Sequence, residues 1–103
     1  MKGKAHMAKT IAPIHPGEIL GADFLDGLGI TPYRLAIDTG LPTSLVYAVL
    51  KGARGITAQV ALRLARYFGT TPEFWLNLQT RYDLERARDE YGATLSFITP
   101  IAA

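Results

Sequence analysis

Thr43, Ser44, Tyr47 and Lys51 are spaced so that a helix gathers them on one face. Three hydroxyls and an ammonium there can exchange hydrogen bonds with a polar surface and attract anions. Leu45 beside them adds an apolar contact, and Arg54 follows with a second positive charge. Arg34 supplies a third, although Asp38 stands four residues on and can take it into a surface ion pair. This is the chemistry of holding, not of bond cleavage. No catalytic constellation stands beside it: there is no glycine-rich phosphate loop and no supported nucleophile. Asp23 and Asp26 lie three apart, which is ordinary acidic surface. His6 and His15 with scattered carboxylates and no cysteine make neither a metal set nor a disulfide, and nothing calls for a cofactor. His15, just before Pro16, reads as a local cap.

Five helices must carry these residues. His15-Pro16-Gly17-Glu18 opens the first, with Ile19, Leu20, Phe24 and Leu28 at helical spacing, until Gly27 and Gly29 end it. Thr31-Pro32 opens the second and Gly40 closes it. The third runs from Pro42 to about Leu50 and stops at Gly52. Thr57 caps the fourth, where Val60, Ala61, Leu64, Ala65 and Phe68 form an apolar stripe ending at Gly69. Thr71-Pro72-Glu73 starts the longest, over about 72–91, which Gly92 is expected to end. Phe74, Trp75, Leu78 and Tyr82 make its inward face, while residues 81–90 are a charged face, open to solvent or to a partner. The tail carries Leu95, Phe97 and Ile98 among Thr94, Ser96 and Thr99, a mixture that predicts an extended strand packed against another chain. The expected fold is all-α, with that short C-terminal extended segment.

Between Thr31 and Arg54 the pattern is that of a helix-turn-helix. Leu35 and Ala36 pack one helix, Val46 and Val49 the next, Leu41 is buried behind the turn, and Gly40 supplies its positive backbone angle. Turning those residues inward leaves Thr43, Ser44, Tyr47 and Lys51 outward, where a second helix of this kind enters a DNA major groove.

Here the chain resembles the Cro/repressor-like (XRE) helix-turn-helix family, whose alanine, glycine and branched aliphatic fall on Ala36, Gly40 and Val46. The stretches HPGEIL (15–20), YRLA (33–36), RGIT (54–57) and ALRLARYFGTTPEFWLNLQTRYDL (61–84) resemble HigA/VapI-type antitoxins of bacterial toxin–antitoxin operons. The resemblance covers about residues 14–92. It implies a five-helix lambda-repressor-like domain over 14–92, behind a flexible leader over 1–13 and before a tail over 93–103. It also implies a homodimeric antitoxin that neutralises a RelE/HigB-like mRNA-cleaving toxin and represses its own operon on palindromic operator DNA. Arg34, Thr43, Ser44, Leu45, Tyr47, Lys51 and Arg54 are the expected DNA contacts. Relatives commonly carry arginine or another long polar residue where this chain has Ser44 and Leu45, so the operator sequence does not carry over. Two alternatives stand beside this: a protein-interaction antitoxin with weak or no sequence-specific DNA binding, and a general repressor without a toxin.

Composition bounds these readings. A chain of 103 residues, 49% apolar, makes one domain and leaves no room for a separate catalytic one. The longest largely apolar stretch, Leu41 to Leu50, is half the roughly 20 residues a bilayer crossing needs, so no membrane association is expected. The absence of cysteine fits a cytoplasmic protein. Met7 leaves open a second start within the leader. The net charge of +2 conceals a split: residues 27–71 carry +4 and residues 72–103 carry −2. Basic charge thus collects on the helix-turn-helix half, where phosphate contacts need it.

Overall fold

Side-chain caps set where four of the described helices begin. The computed structural model describes residues 12–101, so most of the leader expected over 1–13 lies outside the described residues. Helix α1 starts as Pro16–Ile19 and continues as π-helical turns over Leu20–Asp26. Then come α2 (Pro32–Thr39), α3 (Thr43–Leu50), α4 (Ala58–Phe68) and α5 (Pro72–Leu95). Thr31, Thr57 and Thr71 each accept, through the side-chain hydroxyl, the backbone N–H three residues on. Gly40 closes α2 with φ 75°, the left-handed angle expected of the turn.

The helices pack around one apolar core. Leu35, Ala36, Leu41, Val46 and Val49 are buried, as the helix-turn-helix pattern requires. Val60, Ala61, Leu64 and Ala65 of α4 join them, with Ile56 below and Trp75 fully enclosed. Helix α4 lies along α5, α2 packs on α3, and α1 touches both α3 and α5. Trp75 sits among Phe24, Phe68 and Phe74, and its indole N–H donates to Thr70 Oγ1 at 2.8 Å. Removal of that ring should carry the largest stability effect of any single substitution in the core.

Three expectations change. The first concerns Leu28, which the 3.6-residue spacing turned inward but which is 61% exposed. The π-helical turns shift the register, so the inward residues are Leu20 and, five positions on, Leu25. Phe74 is the second, standing 37% exposed at the rim of the aromatic cluster rather than within it. Third, Gly92 does not end α5, and the tail is not a strand. The helix runs on to Leu95 and closes where Ser96 Oγ donates to the Ala93 carbonyl at 2.8 Å. A single interior glycine costs about 1 kcal/mol of helix stability, too little to stop a helix already 20 residues long. Beyond it, residues 96–97 form a turn, and no strand occurs among the described residues.

Candidate nucleic-acid interface

Helix α3 places its polar side chains on the exposed side because its other side is fixed by Val46 and Val49. Thr43, Ser44, Tyr47 and Lys51 are all exposed and share one face. Their hydroxyls and ammonium are the groups that bond base edges and phosphate oxygens. Leu45 does not join them fully: it is half-buried and packs against the core. Arg54 follows in the loop after α3 and is exposed. Two N–H groups, of Ala53 and Arg54, converge on the Ala48 carbonyl at 2.8 and 3.2 Å, folding that loop back on the helix.

Arg34 is engaged elsewhere. Its Nε donates to Asp38 Oδ2 at 3.2 Å, one turn along α2, although the side chain remains 68% exposed. The same carboxylate oxygen accepts the Tyr67 hydroxyl at 2.6 Å. That bond, with Arg34 beside it, holds the Asp38 carboxyl below its ordinary pKa and raises the Tyr67 phenol. Asp38 is the only acid among residues 27–71, and it is masked by these two partners. Arg63, another cation of the basic half, donates to the Thr39 carbonyl at 2.7 Å. It satisfies the carbonyl end of α2, where a cation is favoured.

Two positioning residues have weak local signals in the sequence. His15 is buried and its Nδ1 accepts the Gly17 N–H at 2.8 Å, the expected cap. It also lies beside Gly52 and meets the Tyr82 ring edge-on at 4.8 Å, joining α1, the exit of α3 and α5. Gln79 of α5 accepts the Ile56 N–H at 2.7 Å, 23 residues away. Its only signal is a place four residues after Trp75, on the inward face of the helix.

Burial of His15 disfavours its charged form and lowers its pKa, outweighing the Arg54 backbone bond and the carboxylates of Glu18 and Asp83, which raise it. With the folded pKa below the unfolded value, the unfolded chain takes up the proton first. Stability is therefore unaffected above about pH 6.5 and falls as the pH drops below it through the folded value. Thermal unfolding at pH 7.5 and 5.5 should show a larger loss for the wild type than for His15→Asn, which keeps a capping acceptor without titrating. Equal losses in the two proteins would remove His15 from the account.

The comparisons agree with this geometry. Residues 23–73 match the model of the Cro/C1-type HTH DNA-binding domain. Virulence-associated protein I of Dichelobacter nodosus is 40% identical over 89 residues, covering 86% of this chain and 82% of its own. Antitoxin HigA-1 of Vibrio cholerae is 39% identical over 89 residues, covering 86% and 84%. Among solved structures, Pseudomonas aeruginosa antitoxin HigA with the higBA promoter superposes with a TM-score of 0.84 at 41% identity, over 87% of this chain and 99% of that one. With the capped α2, the left-handed turn at Gly40 and the outward polar face of α3 in place, the chain belongs to the HigA/VapI-type antitoxins of the Cro/C1-like helix-turn-helix family.

Proposed function

We propose that this chain is the antitoxin of a type II toxin–antitoxin pair, a cytoplasmic binding protein rather than an enzyme. It represses its own operon by binding palindromic operator DNA as a homodimer, and it neutralises a RelE/HigB-like mRNA-cleaving toxin. The observation that carries this is the exposed α3 face of Thr43, Ser44, Tyr47 and Lys51, on a scaffold whose relative was solved with promoter DNA. Arg54 adds a phosphate contact at the exit of that helix, and Arg34 reaches phosphate only from within its pair with Asp38. The domain expected over 14–92 extends with α5 to Leu95, and no helix among the described residues is long and apolar enough to cross a membrane. Support for the dimer comes from the outer half of α5, where Leu84, Tyr91 and Leu95 are exposed along one stripe, with Ile98 exposed beyond the helix end. Two recognition helices in such a dimer read half-sites about 34 Å apart.

The test is binding to the DNA upstream of the chain's own reading frame. The wild type should prefer that duplex to a scrambled one, with affinity falling steeply as salt rises. Substituting Ser44 and Lys51 together by alanine should abolish repression of a reporter fused to that promoter. Leu45's place in the core and Arg34's ion pair favour a second reading, a protein-interaction antitoxin that does not read DNA. Under it the double substitution leaves repression unchanged. Relief of growth arrest in co-expression with the product of the adjacent reading frame tests the toxin half separately.

A further inference from the structure

We propose that Gln79 is a positioning residue for DNA binding: from α5 it holds the loop that carries Arg54 in a shape ready to meet a phosphate. The proposal rests on the operator reading above and adds a residue that touches no DNA. The loop from Lys51 to Thr57 is tied at its front by the Ala48 carbonyl, which takes the Ala53 and Arg54 N–H groups. At its back it is tied by Gln79 Oε1, which accepts the Ile56 N–H at 2.7 Å. Arg54 stands between these two anchors, with its own backbone also bonded to His15, so Gln79 is the tie on the side that leads into α4. The Gln79 amide cannot turn over freely, because its Nε2 donates to Asp83 Oδ1 at 2.9 Å, one turn along α5. That bond fixes the carbonyl side of the amide toward the loop.

The fit is close as well as directional. A Cβ built on Gly55 would stand 3.0 Å from the Gln79 amide, so the loop backbone lies flat on that group. Ile56 itself is buried, and its N–H has lost water in exchange for the Gln79 bond. Immediately afterwards Thr57 caps α4, so the same anchor sets where α4 begins. Without Gln79 the back of the loop loses its tie, and Arg54 is no longer held where it meets the phosphate, so that contact and its share of the affinity are lost.

The experiment compares full-length wild type, Gln79→Leu and the exchanged pair Gln79→Glu with Asp83→Asn. The exchanged pair keeps an acceptor facing the Ile56 N–H, reverses the link along α5 and leaves net charge unchanged. Each protein is titrated against a labelled duplex of its upstream DNA over a range of salt, below its unfolding temperature. Amide exchange at Ile56 is measured without DNA. Gln79→Leu should bind about tenfold more weakly, the loss of ~1.4 kcal/mol. It should also lower the slope of log K against log salt by about 0.9, one phosphate's share. Its Ile56 amide should exchange faster, and the exchanged pair should restore all three. A folded Gln79→Leu with wild-type affinity and slope overturns the inference alone. Where Gln79→Leu does not fold, the exchanged pair decides: wild-type Ile56 protection with weakened binding also overturns it. A wild type that prefers no upstream DNA overturns the operator reading and this inference with it.

Discussion

Trp75→Ala should lower the unfolding free energy by about 3–5 kcal/mol, the range for emptying a buried aromatic site. The ring is fully enclosed, with Phe24 and Phe74 centroids at 4.9 and 5.0 Å and Phe68 at 6.2 Å. These neighbours come from α1, α4 and α5, and such a site relaxes only partially once the ring is removed. Trp75→Phe keeps much of the volume and gives up the indole bond to Thr70, whose half-buried hydroxyl can turn to water. It should cost about 1–2 kcal/mol. Denaturant unfolding of both variants checks this. A Trp75→Ala protein within 1 kcal/mol of wild type, by the same yardstick, would mean the cluster is not the keystone of the fold.

Gly17→Ala should be nearly as damaging through the opposite fault, too little room. A Cβ on Gly17 would overlap the Val49 carbonyl oxygen near the end of α3 and press on the His15 ring. Neither neighbour can yield cheaply. One is backbone of the recognition helix, and the other is the side chain that caps α1. Overpacking costs about 1–3 kcal/mol and a disturbed cap about 1 more. A loss of about 3 kcal/mol lowers Tm by at least roughly 10 °C in a domain of this size. Because the displaced element is α3, operator affinity should also fall at temperatures where the variant remains folded. Calorimetry and the upstream-DNA titration measure the two effects, and a Tm within about 2 °C of wild type would exclude a rigid α1–α3 crossing.

Features encoded by neighbouring residues were the readable ones. Thr31, Thr57 and Thr71 act on N–H groups three residues away, so their caps are visible in a short window. Gly40 and the buried set from Leu35 to Val49 follow from turn chemistry and period. The part that was hidden depends on distant chain. The π-helical turns that bury Leu25 instead of Leu28 carry no composition signal. Gln79 earns its role only once Ile56 is folded against it. For the DNA face the outward direction of α3 was legible, but the engagement of Arg34 by Asp38 and Tyr67 needed α4 to be placed.

The masking of Asp38 bears on how the protein meets its target as well as on how it holds it. The Asp38 carboxylate keeps its charge but is held by Arg34 and Tyr67, and residues 27–71 still sum to +4, while α5 carries three basic against five acidic residues. A molecule with this division has an electrostatic bow and stern. A polyanion's field should turn it with the basic helix-turn-helix half leading, before any atom is in contact. Most diffusional encounters of unsteered proteins are wasted on wrong orientations. Steering of this kind should show as an association rate with DNA that falls as salt rises, at an unchanged net charge of +2.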